Sequence, residues 1–204
     1  LDMAIKEAED RRIAIVYTDI KHFKYINDTY GYQVGDSLLR DFAIETSMSD
    51  SPYEICMARV YSDNFVKAVR LDLDDRSKWT NEEYKEFVYQ INQELEQKFR
   101  EKYLNSRLQL CTGIAIIDAN SRNRNAETAV SNANLARKVA KEMENDCCVL
   151  FDHSMMEGIK REVEITSYIP KAIANREFKV YYQPKMETET FKLVGAEALV
   201  RWQR

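Results

Sequence analysis

An acidic side chain follows the point at which the sequence predicts the end of a buried strand. Residues 13–17 form a continuous apolar, β-branched run that is typical of a central strand, and Asp19 comes two positions after it. A carboxylate at the end of a buried strand is a candidate for binding or catalysis. We therefore take Asp19 as the first candidate site residue.

The thiols do not indicate a metal or redox site. The four cysteines are Cys56, Cys111, Cys147 and Cys148. They lie in apolar, strand-like surroundings without the spacing of metal ligands, and only His22 and His153 could assist them. We interpret them as reduced core thiols. Together with the lack of a signal peptide, they lead us to expect a cytoplasmic protein.

The composition is that of a globular protein with long helices. The chain has 204 residues and a formal charge of −4, from 30 basic and 34 acidic side chains, and 45% of its residues are hydrophobic. This apolar content argues against bulk disorder, and only five glycines and three prolines argue against folds with many tight turns. We expect no nucleic-acid partner without a basic face. We also expect no membrane span, because no uncharged stretch approaches ~20 residues.

Strands and helices alternate in a pattern that predicts an α+β fold. The predicted strands are 13–17, 53–60, 65–73, 108–117 and 147–151. Helices are predicted over 1–12, after a cap at Asp36, after a capping box at Thr80, and over 126–143. A hairpin through Ser62, Asp63 and Asn64 joins the second and third strands. We therefore expect a mainly antiparallel five-stranded sheet with helices packed on it.

The character of the chain changes after residue 151. A second capping-box pattern from Ser154 to Glu157 predicts a connector helix, which Pro170 should interrupt. Two further strands, 179–183 and 193–200, have nothing after them to complete a sheet. We divide the chain into a domain at 1–151, a connector at 152–176 and a terminal piece at 177–204, and we expect it to be a fragment of a longer protein.

Two groups of motifs resemble known families. Residues 19–28, followed by Gly31 and by Gly35 and Asp36, resemble the signature after the first strand of GGDEF domains. The motif that names that family has its counterpart in Arg-Val-Tyr-Ser-Asp-Asn-Phe at 59–65. Tyr-Gln-Pro at 182–184 and Gly-Ala-Glu-Ala-Leu-Val-Arg-Trp at 195–202 resemble the start of an EAL domain. The resemblance implies a ferredoxin-like, nucleotide-cyclase-type first domain followed by a truncated EAL hairpin.

The resemblance also implies ligands and partners. GGDEF proteins are diguanylate cyclases, in which two facing domains each hold GTP and magnesium and join the two nucleotides into cyclic di-GMP. EAL domains hydrolyse that product. The implied partners are therefore GTP with Mg²⁺, a second copy of the chain in the parent protein, and the attached EAL domain.

Five residues of this chain match binding positions of the GGDEF family. Asp19 and Asp63 match its metal ligands, Asn27 and Asp36 match residues that contact the guanine base, and Lys141 matches a lysine that contacts phosphate. Each also has an ordinary structural reading. Asp19 can cap a loop and Asp63 can make a turn, Asn27 and Asp36 are common turn and cap residues, and Lys141 complements a helix dipole.

The chain departs from the family at the signature itself. Tyr61 and Ser62 stand where two glycines let the backbone approach the nucleotide, and Asn64 replaces a catalytic, metal-linked glutamate. An amide takes up no proton at neutral pH and is a poor magnesium ligand. The inhibitory Arg-x-x-Asp motif would fall at Pro52 and Ile55 and is therefore absent. These differences predict that cyclase activity is lost or very weak.

The terminal piece carries three residues that match the EAL family. Glu197 matches a metal ligand, Arg201 matches a contact to the substrate phosphate, and Gln183 stands beside them. Such barrels need about 250 residues, so these groups cannot form a working site within this chain.

Three functions remain open from the sequence. The first is a regulatory, catalytically impaired GGDEF domain that binds GTP and controls an attached EAL phosphodiesterase. The second is a weakly active diguanylate cyclase. The third is a structural dimerisation domain in which Tyr61 fills the former nucleotide cleft.

Overall fold

A five-stranded sheet forms from the apolar runs of the first 150 residues. Its strands are β1 (Ile13–Ile20), β2 (Glu54–Tyr61), β3 (Asn64–Arg70), β4 (Leu110–Ile117) and β5 (Cys148–Leu150). The order is β2-β3-β1-β4-β5, which places the strongly apolar β1 in the centre. Three neighbouring pairs are antiparallel and the β4–β5 pair is parallel, so the sheet is mixed. The predicted α+β class and the five strands are confirmed.

The structure is a computed structural model that describes residues 11–47, 52–73, 77–103, 108–118, 125–144 and 147–203. The chain divides into two compact units, of which the first ends at Met155 and the second begins at Met156. The helix predicted over 1–12 lies outside the described residues except at its last two positions, and these are not helical.

Helices cover both faces of the sheet because side chains alternate along each strand. Helix α3 (Asn81–Lys102) buries Tyr84 and Val88 against Ala14 and Ile114 on one face. It begins at the predicted capping box, in which the Thr80 hydroxyl accepts a hydrogen bond from the Glu83 amide and the Glu83 carboxylate accepts one from the Thr80 amide.

The opposite face of the sheet carries helix α4 (Ala126–Glu142). This helix buries alanines such as Ala129 and Ala133 against Ile15, Tyr17 and Ala115. The small alanine side chains let its backbone lie close to the strands.

Two short helices, α1 (Phe23–Tyr30) and α2 (Tyr32–Thr46), connect β1 to β2 and correct the prediction in two places. No helix was predicted for the segment of α1, whose asparagine and aspartate are common in turns. Asp36 was expected to cap a helix but lies inside α2, whose N-cap is Gly31. Buried Phe23 and Ile26 fix α1 against the core in spite of its polar composition.

Helix α5 (His153–Ala174) corrects the expected connector in two further respects. Its first turn is capped by the Asp152 carboxylate, which accepts a hydrogen bond from the Ser154 amide, so Ser154 is not the cap. The helix also continues through Pro170 to its end. Proline suits helical backbone angles and removes one hydrogen bond, and here that loss falls near the helix terminus.

The second unit consists of most of α5 and an antiparallel hairpin of β6 (Phe178–Met186) and β7 (Leu193–Trp202). Its apolar contacts centre on Trp202, whose ring lies 5.9 Å from that of Tyr168 and 5.2 Å from that of Phe178. The Trp202 indole N–H donates to the Glu177 carboxylate at 2.9 Å. Among the residues that the structure describes, no helix is long and apolar enough to span a membrane.

Candidate functional site

An open pocket of about 550 Å³ lies beside the end of β1. It is lined by Ile20, His22, Phe23, Lys24, Asn27, Asp28, Tyr32, Ser62, Asp63 and Lys141. Of the five predicted binding residues, the structure brings Asn27, Asp63 and Lys141 to this pocket. Asp36 is exposed on α2 and is not among the lining residues. Asp19 is 2% exposed and lies behind the pocket at the end of β1.

Asn27 is positioned by a glycine on the neighbouring helix. A Cβ atom at Gly35 would lie 1.9 Å from Asn27 Oδ1, so only glycine allows α2 to pack this closely on the asparagine side chain. Gly35 therefore sets the place of the amide within the pocket.

Two cationic side chains of α4 bind the Asp19 carboxylate. Its Oδ2 atom accepts a hydrogen bond from Arg137 Nη1 at 2.8 Å and another from Lys141 Nζ at 2.7 Å. The Arg137 side chain is 7% exposed and that of Lys141 is 43% exposed, so the first ion pair is buried while the second reaches the pocket. Asp19 Oδ1 has no hydrogen-bond partner among the described residues.

Arg137 is held on several sides. Its Nε atom donates to Asn134 Oδ1 at 3.0 Å, and its guanidinium lies 5.4 Å from the centre of the Tyr17 ring. The backbone of α4 approaches β4 at Gly113, where an added Cβ atom would lie 2.1 Å from the backbone nitrogen of Arg137. Sequence reasoning missed Arg137. The available signal was an arginine on the alanine-rich face of a predicted helix. A buried guanidinium needs an anionic partner, because an unpaired buried charge is costly.

The turn between β2 and β3 carries the family signature. Ser62 has a positive φ of 48°, which identifies it as the left-handed residue of the turn. Asn64 opens β3 directly opposite Asp19 and is 4% exposed. Its Nδ2 atom donates to Asp63 Oδ1 at 3.3 Å, while its Oδ1 atom has no partner within the described part of the chain.

Tyr61, the last residue of β2, forms a side-chain hydrogen bond with Tyr17 of β1. Its hydroxyl is hydrogen-bonded to that of Tyr17, so the side chain reaches from β2 over β3 to β1. Burial and this contact raise the pKa of Tyr17 to about 12. Tyr61 itself remains 57% exposed. The Tyr61 side chain therefore extends toward β1 and keeps much of its surface exposed.

The buried thiols lie next to Asp19 without forming a metal site. Cys111 is the β4 residue opposite Asp19 and is hydrogen-bonded to Cys147. Burial, reinforced by Cys147, raises the pKa of Cys111 to about 12, so this thiol is protonated and unreactive at neutral pH. Among the described residues, no group of three or more His, Cys, Asp or Glu side chains could hold a metal ion.

The three residues predicted for the terminal piece lie on the hairpin of the second unit. Gln183 and Glu197 are direct partners across β6 and β7, and Glu197 is 3.4 Å from Lys185. The Arg201 side chain bonds the backbone oxygen of Val200. The hairpin thus brings the Gln183 amide and the Glu197 carboxylate together. Arg201 lies four residues further along β7, opposite Lys179.

The fold and the pocket together define an α+β domain with an open cleft, lined mainly by polar side chains, at the end of its central strand. The chain belongs to the GGDEF family: the family model described as "Diguanylate cyclase, GGDEF domain" matches residues 1–147.

Relatives and solved structures agree with this membership. The chain is 27% identical to the bifunctional diguanylate cyclase/cyclic di-GMP phosphodiesterase MucR of Pseudomonas aeruginosa, covering 100% of this chain and 28% of the relative. It is also 27% identical to the cyclic di-GMP phosphodiesterase PdeR of Escherichia coli, covering 100% and 29%. The chain therefore spans less than a third of these relatives.

Two solved structures share the fold. The GGDEF domain of DgcB from Caulobacter crescentus, in complex with c-di-GMP, matches with a TM-score of 0.59 at 21% identity, over 74% of this chain and 85% of that one. The active GGEEF domain of a diguanylate cyclase from Vibrio cholerae matches with a TM-score of 0.56 at 21% identity, over 74% and 92%.

Proposed function

We propose that this chain is the regulatory GGDEF domain of a cyclic di-GMP signalling protein, that it binds a guanine nucleotide, and that it is impaired as a cyclase. One observation carries the proposal. The pocket keeps Asn27, Asp63 and Lys141 at its wall, whereas the adjoining signature turn carries Tyr61, Ser62 and Asn64.

The binding half of the proposal rests on chemistry that the pocket offers. An amide such as Asn27 can complement the carbonyl and amino groups of guanine, and the Lys141 ammonium can contact phosphate. Asp36 is assigned to the base on resemblance, and it would have to reach the ligand from the exposed surface of α2. Asp19 and Asp63 stay the predicted ligands of a magnesium ion that accompanies GTP.

The impaired catalysis follows from the groups at the turn. Asn64 cannot act as a base or supply the negative charge of the family glutamate. Losing a preorganised charge interaction costs ~3 kcal/mol or more, which corresponds to at least a hundredfold in rate. Tyr61 and Ser62 also stand where the family has two glycines that let the backbone approach the nucleotide.

The role of the remaining chain is part of the same proposal. Residues 177–204 are the start of an EAL domain, with Gln183, Glu197 and Arg201 belonging to its site, and residues 152–176 connect it to the GGDEF domain at 1–151. Curated relatives support this, since one is named a phosphodiesterase and another a bifunctional enzyme. Nucleotide binding then regulates the EAL domain through α5, provided that the two states of the parent dimer bind the nucleotide differently.

Calorimetry and product analysis test the proposal. We expect GTP to release heat on binding, and labelled GTP to yield no more than traces of cyclic di-GMP. Efficient formation of cyclic di-GMP that depends on Asp19 would instead establish the cyclase. The triple variant Tyr61→Gly, Ser62→Gly, Asn64→Glu should gain cyclase activity, and a failure to gain any would show that other parts of the site have also diverged.

A structural role is the second candidate, because the hydrogen bond between Tyr61 and Tyr17 links β2 to the central strand β1. Under this alternative, GTP at millimolar concentration gives no heat. The Tyr61→Phe variant then behaves as wild type toward nucleotide and loses only stability.

A further inference from the structure

The geometry around Asp19 points to nucleotide binding without a divalent metal: we propose that Arg137 and Lys141 supply the positive charge that magnesium would bring. This inference rests on the proposed binding of GTP, and it replaces the magnesium assignment within that proposal.

The first argument is charge balance at the carboxylate. Asp19 carries one negative charge, and its Oδ2 atom already accepts hydrogen bonds from two cations, Arg137 at 2.8 Å and Lys141 at 2.7 Å. Together these side chains provide two positive charges, as many as a divalent ion. A metal at the same oxygen would have to displace both of them.

The second argument is the set of oxygens left for a metal. In the described part of the chain, the buried and unpartnered oxygens next to each other on β1 and β3 are Asp19 Oδ1 and Asn64 Oδ1. Magnesium loses water reluctantly and normally keeps several waters in its octahedral shell. One carboxylate oxygen and one neutral amide oxygen, both closed off from solvent, do not suit such an ion. Asp63, on the adjoining turn, already accepts a hydrogen bond from Asn64 at its Oδ1 atom and offers only one further oxygen.

The third argument is that several contacts fix the Arg137 side chain beside Asp19. Its side chain is 7% exposed, and it is fixed by the Asn134 amide oxygen and by the Tyr17 ring. Gly113 lets the α4 backbone approach β4 at the backbone nitrogen of Arg137. A guanidinium held on three sides is not readily displaced, since displacement would leave its own positive charge buried and unpaired.

Lys141 connects this ion pair to the ligand. It touches Asp19 and also lines the pocket together with Asn27 and Asp63. An ammonium has three N–H donors, of which Asp19 takes one. The others can face a phosphate, so Lys141 bridges carboxylate and phosphate as the bound metal does in other nucleotide sites.

Titration calorimetry of the whole 204-residue chain with GTP, first in excess EDTA and then in excess MgCl₂, tests the proposal. We expect the two dissociation constants to agree within about threefold. Binding that needs Mg²⁺ would overturn this inference and leave the proposed function standing. Absence of binding in both buffers would overturn the proposed function itself.

A matched pair of variants separates the guanidinium from general charge. Arg137→Met should weaken GTP binding in EDTA by about tenfold or more and make it responsive to Mg²⁺. Lys138→Met removes the same charge from the next, exposed position of α4 and should leave both dissociation constants unchanged. Equal effects of the two variants would overturn the role of Arg137.

Manganese binding gives a readout that does not involve nucleotide. Paramagnetic resonance should show free, hydrated Mn²⁺ in the presence of the wild-type chain. Attenuation of that signal by the wild type, abolished in Asp19→Asn, would contradict the proposal. Because Arg137→Met leaves the buried Asp19 carboxylate with Lys141 alone, the variant can fail to fold. The wild-type comparisons in EDTA and with Mn²⁺ then decide the question on their own.

Discussion

Ser62 adopts a backbone conformation that a side chain disfavours. Its φ of 48° lies in the left-handed region, where a Cβ atom costs roughly 1–2 kcal/mol. The turn has only two residues between β2 and β3, so one of them must supply this curvature. The GGDEF signature places a glycine here, and this chain retains the conformation without the glycine.

The Ser62→Gly variant should therefore be more stable than wild type, by up to about 1 kcal/mol, because the relief of steric strain exceeds the added flexibility of the unfolded chain. Urea denaturation measures the difference. Ser37→Gly is the control, because Ser37 lies inside helix α2, where replacing serine by glycine should cost about 0.5 kcal/mol. A destabilised Ser62→Gly chain would show that the serine side chain makes a contact worth more than the strain.

Glu96 makes the stability depend on pH. Its side chain is 10% exposed, and its two oxygens accept hydrogen bonds from the Leu110 amide and from Arg100. Desolvation raises the pKa of Glu96, and those two contacts only partly oppose it. Between the ordinary and the raised pKa, the folded chain binds more protons than the unfolded chain, so stability falls as the pH rises through this window.

In Glu96→Gln, this loss of stability with rising pH should disappear, since the amide stays neutral and its oxygen can still accept from Leu110. Urea unfolding at a series of pH values above about 4 measures the slope. Glu94→Gln, at an exposed position of the same helix, should keep the wild-type slope. An unchanged slope in Glu96→Gln would mean that the buried carboxylate is not the source.

At the scale of elements, Gly113 determines how closely helix α4 lies on the sheet. A Cβ atom there would come within 2.1 Å of both the Ala133 oxygen and the Arg137 nitrogen. Both are backbone atoms, which cannot move without shifting the helix. The short distance between α4 and β4 is also what lets Arg137 and Lys141 reach Asp19, so packing and site depend on the same glycine.

The Gly113→Ala variant should lose about 3 kcal/mol of stability, since overpacking at this contact displaces a whole helix. Chemical denaturation provides the measurement. The same substitution at Gly158, within α5 and with nothing within 4 Å of an added Cβ atom, should instead stabilise its helix by about 0.5–1 kcal/mol. A Gly113→Ala chain as stable as wild type would require α4 to lie farther from the sheet than described.

Periodic apolar patterns predicted the elements that bury a continuous face. β1, β4, α3 and α4 are of this kind, and the Thr80 capping box marked the start of α3 correctly. Helix α1 was missed because its fold depends on two buried side chains, Phe23 and Ile26, within a polar segment. Pro170 misled in the opposite direction, since proline near a helix end removes little.

The candidate site was predictable where a motif marked the residue and not where packing created the contact. Asn27, Asp63 and Lys141 stand in recognisable motifs, and they meet at one pocket. The pairing of Asp19 with Arg137 joins residues 118 positions apart, through the approach of α4 to the sheet. No local sequence pattern relates residues so far apart. The pairing of Asp19 with cationic side chains of α4 is therefore visible only in the folded structure.

The two units of the whole molecule differ in how much apolar surface they bury. The first encloses its central strand between helices, so that Ile13, Ala14 and Ile15 are fully buried. In the second, the hairpin exposes apolar side chains on both of its strands, including Val180 at 52%, Val194 at 66% and Val200 at 57%. A two-stranded hairpin is marginally stable without a packing partner.

Hydrogen exchange should therefore separate the two units of the 204-residue chain. Backbone amides of β6 and β7 should exchange through local opening, much faster than those of β1 and β4, whose exchange requires opening of the buried core. Mass spectrometry of peptides from each strand gives the rates, and the exposed helix α5 serves as an internal comparison within the second unit. If the β6–β7 amides were protected as strongly as those of β1, the exposed valines would have to be covered in solution. Dilution then tells whether a second copy of the chain covers them, because protection by self-association falls with concentration.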